Sequence, residues 1–146
     1  MTRTRRPNLI GPALAAALCL PGVAGAQASD AQTTKEQDAV IAAAVRYSIG
    51  YGVWTWEKKC QALPADVRRE FDEVITDDLK RLTAAADAKL LSAVTAAGQD
   101  AAKGDKVPPC GDPEALDFAQ FGLSLAKEAQ DKLKTLPAGY RMVIAD

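Results

Sequence analysis

Histidine, the usual general base and the commonest metal ligand of enzymes, is absent from this chain. Without histidine there is no Ser-His-Asp or Cys-His triad, no imidazole base and no imidazole metal ligand. The three cysteines show no Cys-x-x-Cys spacing for a redox or zinc site, and no glycine loop of the phosphate-binding kind occurs. We therefore expect no enzyme activity, no metal site and no cofactor.

A cluster of carboxylates lies mid-chain, at Glu70, Asp72, Glu73, Asp77 and Asp78. On a helix, Glu70, Glu73 and Asp77 would share one face and could form a weak site for a hard cation. Basic residues flank the cluster on both sides, and the spacing is not that of an EF-hand. We interpret the cluster as a solvated, charge-balanced helix surface.

Four aromatic residues, Tyr47, Tyr51, Trp54 and Trp56, form the candidate ligand-binding group. They could line a pocket for a lipid tail, a sugar or a peptide, because two neighbouring glycines leave room for one. The alternative, which we favour, is core packing with the polar tips of Trp and Tyr at the surface.

The N-terminus has the pattern of an export signal. A start with three arginines precedes an apolar segment over residues 9–20, and the small residues Ala24-Gly25-Ala26 follow. The apolar segment is shorter than the ~20 residues that span a bilayer. The sequence predicts a signal peptide over residues 1–26, cleaved before Gln27.

Export sets the charge and the redox state that we expect. Cleavage removes three of the 18 basic residues and no acid, so 15 basic residues remain beside 19 acidic ones, a formal charge of −4. This balance disfavours nucleic acid or an anionic membrane as partner. No later segment is apolar enough to span a membrane, so we expect a soluble periplasmic, or secreted, protein.

Cys60 and Cys110 remain after cleavage. In an oxidising compartment a disulfide between them is the default, and two free thiols are the alternative. Closing a loop of roughly 50 residues stabilises the fold by about 4 kcal/mol in the chain-entropy model.

The longest helical pattern covers residues 64–103, and we expect the rest of the chain to pack on its apolar face. That face comprises Phe71, Ile75, Leu79, Leu82, Ala86, Leu90, Ala93 and Ala97. Bridged cysteines need Cα atoms within roughly 7 Å, so this run should fold into a hairpin. We place its turn within residues 76–87, with Thr76 or Thr83 as the helix cap.

Helical patterns also flank this run. A capping box at Thr33 and Glu36 predicts the start of a first helix. Its apolar positions are Val40, Ala44, Tyr47, Tyr51 and Trp54, broadened by Ile41, Val45 and Ile49. Its glycines at 50 and 52 indicate close backbone contact or an early helix end. Residues 98–111 read as a linker, and Asp112 begins the last helix.

These patterns predict an all-α fold, a small four-helix bundle closed by one disulfide. Residues 27–33 form a flexible N-terminal segment, residues 34–136 the helical bundle domain and residues 137–146 a C-terminal tail. We leave open whether the apolar tail docks on the bundle.

The small helical build, the pair Trp54-Thr55 near the first cysteine, and one disulfide across a comparable loop resemble the short periplasmic acid-stress chaperones of the HdeA type. The acid-rich central region differs from them. The resemblance is one of architecture.

The function expected from the sequence is protein binding in the periplasm, as a chaperone-like or partner-binding module. The alternative is a small-ligand carrier (lipid, sugar or peptide) that uses the four aromatic residues. The sequence names neither the protein partner nor the ligand.

The predicted cleavage site is tested by the intact mass of the protein recovered from the exporting cell. We expect a chain that begins at Gln27. A recovered chain that retains Met1 would contradict the export prediction.

Overall fold

The computed structural model describes the backbone of residues 23–142 and the side chains of residues 34–142. Residues 1–22 of the predicted signal peptide and residues 143–146 of the predicted tail lie outside that range. The described chain contains four helices and no strand. They are α1 (Val23–Cys60), α2 (Ala65–Ala85), α3 (Ala88–Ala101) and α4 (Ala115–Lys134). The fold is the predicted all-α bundle, closed by a disulfide.

The central element is α1. It packs against α2, α3 and α4, whereas within the described residues no Cα atoms of α3 and α4 come within 8 Å of each other. Val40, Ala43 and Tyr47 on α1 are fully buried. The prediction that the chain packs on the face of residues 64–103 is therefore wrong, because the long α1 offers a contact surface on three sides.

Glycines let two helices approach α1 closely. A Cβ atom on Gly52 would overlap the carbonyl oxygen of Gly98 on α3, and one on Gly98 would overlap the carbonyl oxygen of Ser48. On the other side, a Cβ atom on Gly122 of α4 would overlap the side chain of Val53. Of the two alternatives predicted for the glycines of α1, close backbone contact is confirmed, since the helix continues to Cys60.

The hairpin turn between α2 and α3 lies at Ala86 and Asp87, at the end of the range predicted for it. Asp87 caps α3, because its carboxylate accepts a 2.6 Å hydrogen bond from the amide of Lys89. Thr76 and Thr83 do not cap a helix, so those two predictions are wrong. Each hydroxyl donates instead to a backbone carbonyl one turn back within α2.

The interruption of the helix at Ala86 and Asp87 changes the direction in which the following side chains point. The apolar face predicted over residues 64–103 therefore does not continue from α2 into α3. Phe71 and Leu82 are buried, but Leu79 on the edge of that face is 41% exposed. In α3, Ala93 and Ala97 of the predicted face are exposed, while Val94 is buried. The single face predicted over residues 64–103 is thus correct for most of α2 and wrong for the later part of α3.

The disulfide joins the C-terminal end of α1 to the α3–α4 connection. The Cα atoms of Cys60 and Cys110 lie 4.9 Å apart, within the expected limit. The connection begins after Ala101, because Gly98 lies inside α3. Asp112 accepts a 2.8 Å hydrogen bond from the amide of Glu114, which orders the turn into α4.

At the N-terminal end of the described chain the first helix differs from the prediction, and at the C-terminal end the structure shows where the tail docks. The first helix begins at Val23, so the start predicted at Thr33 is wrong. At the other end the tail docks as far as Met142, whose amide donates a 2.8 Å hydrogen bond to the carbonyl of Ala85. The Met142 side chain is buried in a small cluster with Val40, Ala85 and Ala86.

We expect Gly98→Ala to lower the free energy of unfolding by about 1–3 kcal/mol, because the new methyl group must push α3 away from α1. Urea denaturation measures this. Gly104→Ala is the control, since a Cβ atom there would meet nothing closer than an oxygen at 3.7 Å. Equal stabilities of the two variants would contradict the close α1–α3 contact.

Candidate functional site

Three of the four predicted aromatic residues form a ladder along α1. The ring centroids of Tyr47 and Tyr51 lie 5.7 Å apart, and those of Tyr51 and Trp54 lie 5.5 Å apart. Tyr47 is fully buried. The indole of Trp54 donates a 2.6 Å hydrogen bond to Asp72 on α2, and the ammonium of Lys58 lies 4.4 Å from its ring centroid. The ladder therefore joins α1 to α2.

Trp56 lies apart from this ladder. Its ring packs edge-on against Phe118 of α4, with centroids 5.0 Å apart, and its indole donates to the carbonyl of Pro108. A cavity of about 230 Å³ lies beside Trp56, between α1 and the end of α3. This volume is below that of common ligand pockets. The four aromatics thus belong to one hydrophobic core but have two separate sets of ring contacts, and ligand binding by them stays a prediction.

The acids of the middle region are distributed between surface contacts and the core. Glu70 pairs with Lys127 of α4 at 2.6 Å. Asp77 accepts from Arg81 at 2.7 Å and from Gln130 at 2.8 Å, and the hydrogen bond from Arg81 lowers the pKa of Asp77. In the part of the chain that the structure describes, no group of three or more His, Cys, Asp or Glu side chains could hold a metal ion.

Glu57 is a buried carboxylate that the sequence reading passed over. Its two oxygens accept hydrogen bonds from the amides of Ala62 and Leu63 at 3.0 and 2.9 Å, and Arg68 lies 3.4 Å away. These bonds fix the loop between α1 and α2. The local turn at Gln61, whose φ is +50°, brings those amides back toward Glu57.

Asp78 and Tyr47 are buried polar side chains on facing helices, and neither finds a hydrogen-bond partner among the described residues. Burial raises the pKa of Asp78 to about 7, and the charge of Asp77 adds to this, while Arg81 and Lys134 oppose it. Burial also raises the pKa of Tyr47 to about 12. Here the predicted solvated surface is wrong, because Asp78 occupies the apolar face of α2.

The outer side of α1 carries a stripe of exposed aliphatic residues. Ile41, Val45 and Ile49 are 44%, 53% and 38% exposed. The prediction that they broaden the packed face of the helix is wrong. Their spacing of four residues keeps them on one side, and α1 is covered elsewhere by its three neighbours. We call these three residues the α1 stripe.

The walls beside the stripe are α3 and α4. The contact of Gly52 with Gly98 fixes α3 on one flank of α1, and the 2.9 Å ion pair of Arg46 with Glu128 fixes α4 on the other. The α1 stripe lies on the side of α1 between these two helices, and no Cα atoms of α3 and α4 come within 8 Å of each other. We infer a groove there, with α1 as its floor. Phe121, which is 53% exposed, lies seven residues before Glu128 and so on the same face of α4.

Comparisons with protein-family models, with curated proteins and with solved structures find no match for this chain. None of the helices within the described range has the length and apolar character needed to cross a membrane.

We expect Glu57→Gln to lower the free energy of unfolding by about 2–3 kcal/mol, because the amide NH₂ group that replaces one buried oxygen is a donor and would face a backbone N–H without an acceptor. Thermal and urea denaturation measure the change. The control is Glu70→Gln, which removes an exposed ion pair worth about 0–1 kcal/mol. A Glu57→Gln protein as stable as Glu70→Gln would show that the loop does not depend on this carboxylate.

Proposed function

We propose that this protein is exported to the periplasm and acts by binding another protein, without chemistry of its own. The observation that carries the proposal is the groove between α3 and α4, whose floor is the α1 stripe of Ile41, Val45 and Ile49. An apolar floor between two separated helices suits an amphipathic helix of the partner.

The chemistry of the groove supports this mode of binding. Fully burying a Val or Ile side chain contributes about 1.5–3 kcal/mol, so covering the exposed half of each stripe residue contributes about 1 kcal/mol. Phe121 on the wall offers a larger aromatic anchor of the kind enriched at binding hot spots. Arg46 and Glu128 at the rim are already paired with each other, which leaves the apolar contacts to provide affinity.

The absence of histidine from the sequence supports binding over catalysis. The chain has no histidine, and Cys60 and Cys110 are tied in the disulfide. Glu57 is bonded to the backbone, and Asp78 is enclosed by the core. The disulfide is compatible with an oxidising compartment such as the periplasm.

The groove is tested by placing a photo-crosslinking amino acid at position 45 in cells that export the protein. We expect a crosslinked product whose mass exceeds that of two copies of the chain, or whose peptide mass map contains peptides of a second protein. The partner protein identified in the crosslinked product is then purified, and its affinity for this protein is measured directly. Val45→Asp should weaken binding at least tenfold, because a charge would be buried against an apolar surface.

Leu79→Asp is the matched control, since Leu79 is exposed to a similar extent but lies on α2. We expect it to change the affinity less than twofold. Circular dichroism of both variants confirms that each is folded. The proposal is wrong if Val45→Asp binds as tightly as the parent protein. It is also wrong if the crosslinked product contains two copies of this chain alone.

A further inference from the structure

Two buried carboxylates in this protein have opposite surroundings. Glu57 is fully buried and accepts hydrogen bonds from two backbone amides. Asp78 is equally buried, yet neither of its oxygens has a hydrogen-bond partner among the described residues. The hydroxyl of Tyr47 on the facing helix α1 is also buried without a hydrogen-bond partner among the described residues. A buried carboxylate without partners is costly when charged, so its protonation state affects the packing around it.

We propose that Asp78 makes the closure of α2 on α1 responsive to pH. The neutral carboxyl is stable in the core, and its ionisation loosens the end of the bundle where α2 meets α3. This inference does not depend on the groove or on a partner protein.

The groups that face Asp78 do not remove the cost of its charge. The titratable and charged neighbours, on α1, α2 and α4, are Tyr47, Asp77, Arg81, Asp131 and Lys134. Arg81 is bonded to Asp77 at 2.7 Å, so the opposite effects of these two charges on Asp78 partly cancel. The negative charges of Asp77 and Asp131 act against ionisation of Asp78, while Arg81 and Lys134 favour it. Burial remains the largest influence.

The direction of the pH effect follows from the raised pKa. Asp78 titrates near 3.8 in the unfolded chain and at about 7 in the folded protein. Between these values the folded state retains a proton that the unfolded state has lost. The stabilising effect of the neutral carboxyl is therefore complete below about pH 4 and is lost as the pH rises through about 7.

The position of Asp78 decides which part of the fold responds. The loop end of α2 is held by Glu57 through the amide of Leu63, and the nearby Cys60 is in the disulfide. Two turns beyond Asp78, α2 ends at Ala85, which is held by the small cluster around Met142. Loosening should therefore begin at this end, where the amide of Met142 is bonded to Ala85.

The experiment is hydrogen exchange by NMR on the oxidised protein at pH 5 and pH 8, with rates corrected for intrinsic exchange. We expect the protection factors of the Met142 and Ala85 amides to fall at least tenfold from pH 5 to pH 8. In Asp78→Asn the fall should be absent, because the amide cannot ionise. Glu73→Gln, on the exposed side of α2, is the charge-matched control and should retain the fall.

An equal fall in the parent protein and in Asp78→Asn would overturn the proposal, and so would protection that does not change with pH in the parent. If Asp78→Asn does not fold, carbon NMR titration of the parent protein decides the question. A midpoint for the Asp78 carboxyl above pH 6 supports the proposal, and a midpoint near 4 contradicts it.

Discussion

Gly52 of α1 and Gly98 of α3 meet backbone to backbone, and on the opposite flank Gly122 of α4 lies against Val53 of α1. These contacts set the distance and position of the two outer helices. Because α3 and α4 are held on opposite flanks of α1, they cannot close over its outer side. The exposed α1 stripe is thus a consequence of how the bundle is held together.

The sequence predicted the helical class, the disulfide and the hairpin well, because each follows from a local or a covalent constraint. The glycines of α1 were correctly linked to close contact, yet Gly98 was read as the start of a linker. A glycine pattern alone does not distinguish a helix end from a helix crossing. The cap at Asp87 was missed in favour of Thr76 and Thr83, because all three residue types cap helices and propensity does not choose among them.

The candidate site was harder to predict. Ile41, Val45 and Ile49 extend an already apolar helix, and periodicity cannot tell which of two apolar faces the rest of the chain covers. Asp78 did have a signal, because it stands between Ile75 and Leu82 at the spacing of buried residues. Because Asp78 was grouped with the neighbouring acids as part of a solvated surface, its spacing from Ile75 and Leu82 was overlooked. Its burial depends on Tyr47 and on the tertiary packing of α1 against α2, which no local pattern contains.

The central claim is that α1 serves as the core of the bundle on one side and as a binding surface on the other. Carbene footprinting of the isolated protein and of its complex with the purified partner tests both halves at once. The account predicts labelling of Ile41, Val45 and Ile49 in the isolated protein, none at Val40 or Tyr47, and protection of the three stripe residues in the complex. Stripe residues that label equally in both samples, with protection appearing on α2 instead, would contradict it.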